Sequence, residues 1–147
     1  MNKNSVYLVQ TDTTVGFLSS DDKKLSSIKQ RPSSQKMLQV VDSFKTLKQQ
    51  VRIPKKHRKL VRNSSETTFI YDNGNSYRVI DENSSHHAFI KKFSLMYSTS
   101  ANITKNQFDR EYASANCNVV VEDKQGFFES KPSQIIKITK TKLLKLR

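Results

Sequence analysis

Glycine occurs at only three positions, Gly16, Gly74 and Gly126, and their spacing fits neither a phosphate loop of the Walker type nor a dinucleotide fingerprint. Any nucleotide must therefore be held by other means. Cysteine is scarcer still. Cys117 stands alone, which excludes a disulfide within the chain and any multi-cysteine zinc site, and fits a reducing compartment. Its surroundings, Asn116-Cys117-Asn118-Val119-Val120-Val121, read as the start of a buried strand, where cysteine packs as a small hydrophobe and is no nucleophile. No Gly-x-Ser-x-Gly elbow is present, so covalent hydrolysis has no support. His86 and His87 are adjacent and point to different sides of a helix, and His57 lies in a basic run, so no metal site is expected. Long apolar runs are missing too. The first residues lead straight into a short strand without a signal peptide, so a cytoplasmic protein without membrane contact is expected.

Acid is the other shortage. Lysine and arginine number 26 against 13 aspartates and glutamates, a formal net charge of +13, which favours polyanionic partners such as nucleic acid or nucleotide. The excess is concentrated in two acid-free runs. One, Lys45 to Arg62, carries Lys45, Lys48, Arg52, Lys55, Lys56, Arg58, Lys59 and Arg62; the other, Lys131 to Arg147, carries six cations. Either run is a phosphate-binding surface or simply a solvated face. Aromatics are nearly absent from both, which argues against base stacking there.

With 147 residues, 35% of them hydrophobic, the chain is expected to fold as one compact domain, 1–147. Strands are read at Val6 to Val9, Met37 to Val41, Thr67 to Tyr71, Ser76 to Ile80, Leu95 to Tyr97, Val119 to Glu122 and Gln134 to Thr139, with a short one at Lys142 to Leu146. The strongest local signal is the hairpin around Asn73-Gly74, the pair preferred where both central residues need positive φ. Helices are read from Asp21 or Asp22 to Arg31-Pro32, from Asp42 to Val51, from Pro54 to Arg62, from Ser84 or Ser85 to Phe93 and from Gln107 to Ala115; Gln10 to Gly16 reads as a polar loop. Strands alternating with helices around one hairpin favour an α/β fold with a mixed sheet and helices on its faces.

Three segments stand out chemically. The run Leu95 to Tyr97 stops abruptly in Ser98-Thr99-Ser100-Ala101-Asn102, which offers hydroxyls, an amide and backbone groups at a strand end. Thr11-Asp12-Thr13 follows the first strand in the same way, and Lys29-Gln30-Arg31-Pro32 supplies two cations suited to an anion. Thr11, Thr13 and Ser100 would serve equally as turn caps, and Arg78 as a solvated hairpin residue.

In order and spacing, Thr11-Asp12-Thr13-Thr14-Val15-Gly16-Phe17, Ile28-Lys29-Gln30-Arg31-Pro32, Thr68-Phe69-Ile70, Arg78-Val79, Ser98-Thr99-Ser100-Ala101-Asn102 and Lys131-Pro132-Ser133 resemble the YrdC/YciO family of threonylcarbamoyl-adenylate synthases, over almost the whole chain. The resemblance implies a single-domain YrdC-like twisted open mixed sheet around a concave basic cavity. It also implies a reaction in which threonine, bicarbonate and ATP, with Mg2+ on the phosphates, give threonylcarbamoyl-adenylate for the N6-threonylcarbamoyladenosine modification of tRNA, alongside other tRNA-modification proteins. Lys29 and Arg31 would then be the catalytic cations, offsetting the repulsion among carboxylate, carbonate and triphosphate. Arg78, Ser100, Asn102, Thr11, Thr13, Thr68 and Ser133 would hold the nucleotide and line the same cavity.

The sequence also departs from the family. Gln10 stands where the family has proline, and Val15-Gly16-Phe17 where it has tyrosine, glycine and leucine; Asn63-Ser64-Ser65-Glu66-Thr67 replaces a Pro-Gly-Pro segment, and no Ser-Gly follows Asn102. The alternative is thus a divergent, catalytically weak or inactive YrdC-like domain that binds double-stranded RNA or tRNA.

Overall fold

The computed structural model describes residues 1–103 and 107–147. Its strands are β1 (Tyr7–Gln10), β2 (Val15–Ser19), β3 (Leu38–Val41), β4 (Thr67–Ile70), β5 (Ser76–Val79), β6 (Leu95–Ser100), β7 (Val119–Val121), β8 (Gln134–Ile138) and β9 (Leu143–Lys145). Its helices are α1 (Asp22–Lys29), α2 (Phe44–Gln50), α3 (Arg58–Asn63), α4 (Ser85–Lys91) and α5 (Arg110–Ala115), with a 3-10 turn at Lys55–His57 before α3. All nine strands form one mixed sheet in the order β7-β1-β2-β6-β3-β5-β4-β8-β9. Pairing is parallel at β1–β7, β3–β5 and β4–β8 and antiparallel elsewhere. This is the α/β architecture expected from the sequence.

Side-chain alternation divides the sheet into two faces. On one face Val15, Phe17, Leu8 and Val6 pack with Leu25 of α1 and Ala113 of α5, while Val41, Tyr77 and Phe69 pack with Leu47 of α2, Val61 of α3 and Ile138 of β8. On the other, Leu18, Val40 and Met96 pack with Phe89 and Ile90 of α4. Since α4 covers only part of that second face, the rest is left open as a cavity beside it.

Two readings need correction in register and one in burial. The segment read as a polar loop to Gly16 is a tight turn followed by β2, all five residues of which are buried, because β2 pairs with β1 on one side and β6 on the other. β6 continues to Ser100 and does not stop at Tyr97, so the polar residues after Tyr97 belong to a strand paired with β2 and β3. β7 is no buried strand: it is a sheet edge, and Val119 and Val120 are 39% and 44% exposed. Cys117, just before β7, is half-buried, and burial pushes its thiol pKa up. Among the described residues no helix is long and apolar enough to cross a membrane.

Candidate functional site

α1 is started by Asp21, whose carboxylate accepts from the backbone N–H groups of Lys23 and Lys24. It is stopped by Gln30, which takes the left-handed conformation at φ 55°; Gln30 N donates to Ser27 O and Arg31 N to Ser26 O. That C-cap, placed ahead of Arg31-Pro32, sends the two cations in different directions. Lys29 remains on the helix and is 5% exposed. Its Nζ donates to Ser100 O at 2.9 Å, Asn102 Oδ1 at 3.0 Å, Ser100 Oγ at 3.3 Å and also Asn102 O. Arg31 lies beyond the cap and lines the cavity. Its side chain makes no ion pair or hydrogen bond among the described residues.

The Lys29 ammonium therefore acts first as a clamp. It holds the end of β6 and the residues after it, and Ser100 Oγ donates onward to Asn102 Oδ1 at 2.7 Å. Burial, and to a lesser extent the neighbouring Arg31, lower the Lys29 pKa from 10.5 to about 8, so the clamp is still charged at neutral pH.

Opposite this clamp, the β1–β2 turn contributes Thr11 and Thr13 to the cavity wall and a buried carboxylate, Asp12, behind it. Thr11 Oγ1 donates to Thr14 O at 2.5 Å and accepts from Thr13 N at 3.1 Å, with Thr13 Oγ1 a further 3.3 Å away. Asp12, between them, reaches across the sheet to β5, where Arg78 Nη2 lies 3.0 Å from Asp12 Oδ1; both side chains are about 95% buried, being 4% and 5% exposed. The contact is an ion pair without good hydrogen-bond alignment: neither Asp12 Oδ1 nor Arg78 Nε has a hydrogen-bond partner. A third group closes the wall beyond β4. Thr68 Oγ1 and Ser133 Oγ are 2.8 Å apart, and Arg147 Nε donates to Ser133 O at 2.9 Å.

The cavity these groups surround has a volume of about 550 Å³, within the range of small-molecule sites. Thr11, Thr13, Arg31, Thr68, Arg78, Ser100, Asn102 and Ser133, all singled out in the sequence, line it together; Lys29 alone of that set supports it from behind. Lys36, Phe108, Glu129 and Arg147 line it as well, without any local signal in the sequence to mark them. Glu129 Oε1 accepts from Phe108 N at 2.6 Å, and the Phe108 ring packs edge-on against Phe127. Asp12, the buried partner of the lining residue Arg78, is a supporting residue that sequence reasoning missed, although its position between two threonines in a turn is a usable signal. Its partner Arg78 is distant in sequence and becomes its neighbour only through the sheet.

No protein-family model and no curated protein sequence matches the chain. Among solved structures, it superposes on Sua5 of P. abyssi with a TM-score of 0.77 at 13% identity, over 98% of this chain and 52% of Sua5. Against YciO of E. coli the TM-score is 0.76 at 15% identity, over 99% of this chain and 83% of YciO. MTH1692 of Methanobacterium thermoautotrophicum gives 0.72 at 17% identity, over 98% and 80%. Sua5 has also been solved in complex with L-threonine, and that structure gives a TM-score of 0.75. The chain thus spans about half the length of Sua5 and most of the length of the other two. With its nine-stranded mixed sheet, it has the YrdC-like fold of these three proteins.

Proposed function

We propose that the cavity binds ATP together with threonine and bicarbonate, and that the protein forms threonylcarbamoyl-adenylate with release of pyrophosphate, for the N6-threonylcarbamoyladenosine modification of tRNA. The observation that carries this reading is Arg31. Arg31 lines the cavity and its side chain makes no ion pair or hydrogen bond among the described residues, beside a strand end that Lys29 binds. An unpaired planar cation suits a phosphate or carboxylate, which it can grip with two parallel hydrogen bonds. Arg147 and Lys36 add positive charge to the lining, while Asp12 offsets Arg78. Arg78 Nε is buried and has no hydrogen-bond partner, so Arg78 supports the lining through its charge.

The residues divide the work as follows. Arg31, with the charge of Arg78 behind it, neutralises phosphate oxygens and stabilises the charge that builds on the α-phosphate as pyrophosphate leaves. The Ser100–Asn102 backbone and hydroxyl groups orient the substrates, and Lys29 keeps them in place. Magnesium enters as part of the nucleotide substrate. The complex of Sua5 with L-threonine supports an amino acid as the second ligand of a cavity of this fold.

The test is pyrophosphate release from ATP, threonine, bicarbonate and magnesium, each omitted in turn. Release is expected only when all are present, and Arg31→Ala is expected to weaken ATP binding at least tenfold, about 1.4 kcal/mol, without lowering the unfolding temperature. Folded protein that binds ATP but releases no pyrophosphate would reject the synthase reading. Unchanged ATP affinity in Arg31→Ala would reject the site.

A further inference from the structure

The segments that build the two edges of the sheet carry opposite charge. Residues 109–129, which include α5 and β7, hold Asp109, Glu111, Glu122, Asp123 and Glu129 against two cations, Arg110 and Lys124. α5 packs at that edge, since Ala113 shares a core cluster with Val6 and Leu8 of β1. At the other edge β8 and β9 belong to an acid-free run, with Lys137, Lys140, Lys142 and Lys145 exposed.

Both edges also present apolar side chains beside open backbone. On β7 Val119 and Val120 are exposed, and on β9 Leu143 and Leu144 are 44% and 58% exposed. Val119 N donates to Val6 O at 3.2 Å, so by alternation the N–H and C=O of Val120 point away from β1. On β9, Lys142 O accepts from Thr139 N and Leu146 N donates to Ile135 O, which turns the backbone groups of Leu143 and Lys145 outward. Such rows of open groups are templates for another strand.

Face and direction match as well. Val120 is in register with Leu8 and Leu143 with Ile138, both on the helix-covered face, whereas Val119 and Leu144, in register with Tyr7 and Lys137, lie on the other. Followed from pair to pair across the sheet, β9 runs antiparallel to β7. A second copy set edge to edge without turning over therefore brings its β9 to β7 as an antiparallel neighbour.

We propose that β7 binds β9 of a second copy of this chain, head to tail, in one continued sheet. Val120 pairs with Leu143 and Val119 with Leu144, each pair on a shared face, while Glu122 and Asp123 after β7 come beside Lys140 and Lys142 before β9. Joining like edges instead would set lysines against lysines at β9 and acid-rich segments against each other at β7. The contact leaves β7 open on one copy and β9 open on the other, so it does not close and further copies can add. β7 is only three residues long and the net charge of +13 makes copies repel, so the association is weak. It does not depend on adenylate formation.

The test is sedimentation velocity of the full chain at about 0.15 M salt, from roughly 10 μM to 1 mM protein, the range of weak association. The weight-average sedimentation coefficient is expected to rise with concentration past that of a dimer. Val120→Lys, which keeps β9, and Leu144→Lys, which keeps β7, should each be monomeric throughout, with urea midpoints close to that of the wild type. Mixed in equal amounts they should give a dimer and nothing larger, because each supplies the edge that the other lacks. Lys140→Glu with Lys142→Glu should weaken the association of the otherwise unchanged chain about tenfold. A wild type that stays monomeric, folded lysine variants whose mixture stays monomeric, or an unaffected charge variant would each overturn the proposal. So would assembly that stops at a dimer and is lost in only one of the two lysine variants, the sign of a contact between like edges.

Discussion

At the scale of single residues, the buried polar groups fall into those with partners and those without, and the distinction separates site from scaffold. Lys29 meets four oxygens from Ser100 and Asn102 and so gives up its donors to the protein. His86 is the reverse case. It is 2% exposed on α4, lies flat against Phe89, and neither ring nitrogen has a hydrogen-bond partner. Burial, then the charge of Arg78, then His87, lower its pKa from 6.5 to about 3. The folded protein thus keeps His86 neutral where the unfolded chain protonates it. Its stabilising contribution is complete above pH 6.5 and is lost as pH falls toward 3; by pH 5 the loss is about 2 kcal/mol. His86→Leu removes that dependence and sacrifices no hydrogen bond. Urea unfolding at pH 7 and pH 5 should show the wild type losing about 2 kcal/mol more than the variant between the two. Equal losses would mean that His86 is protonated in the folded protein.

At the scale of elements, the β1–β2 hairpin decides how the cavity wall is built. Gly16 allows it, because a Cβ there would lie 3.0 Å from Thr11 Cγ2 and 3.2 Å from the backbone oxygen of Thr99. A strand oxygen cannot yield as the end of a flexible side chain does, so Gly16→Ala must push the turn away from β6. The expected cost is about 1–3 kcal/mol, together with weaker nucleotide binding as Thr11 and Asp12 shift. Gly74→Ala is the comparison, since Gly74 has φ 83° in the β4–β5 turn, where a side chain costs about 1–2 kcal/mol. Both variants should lower the urea midpoint, but only Gly16→Ala should lower ATP affinity; equal affinities would show that the hairpin does not position the site. The same two hairpins show how far the sequence can be read. The β4–β5 hairpin is legible because Asn73-Gly74 is a local turn signal between two runs of strand type, although Gly74 alone, and not Asn73, takes the positive φ expected of both. β2 is not, because Thr11 to Thr14 hides a turn in polar residues and Gly16 breaks the strand pattern that follows. Of the site, the cavity-lining threonines, Arg31 and the Ser100–Asn102 end of β6 are legible from composition at strand ends. The Asp12–Arg78 pair and the inward turn of Lys29 depend on β1, β2, β6 and β5 meeting in one sheet, which no local pattern states.

At the scale of the whole molecule, the positive excess is a destabilising load that the fold does not neutralise. Among the described residues only two ion pairs occur, buried Arg78–Asp12 and exposed Arg110–Glu122, while the net charge is +13. Most cations therefore repel one another, above all on the face where α2, α3 and the β8–β9 turn converge. Screening should relieve this, because the Debye length shrinks from about 30 Å at 0.01 M salt to about 8 Å at 0.15 M. The unfolding temperature is expected to rise over that range, by about 2–4 °C for each kcal/mol of repulsion removed. Neutralising Lys55, Lys59, Lys140 and Lys142 with glutamine should raise it at low salt and shrink the salt response, because the repulsion that salt would screen is already gone. A protein that melts at the same temperature at both ionic strengths would show that its cations are far enough apart to be solvated singly. A salt response unchanged in the glutamine variant would place the repulsion elsewhere, among the cavity cations Arg31, Lys36, Arg78 and Arg147, where ATP rather than salt should relieve it.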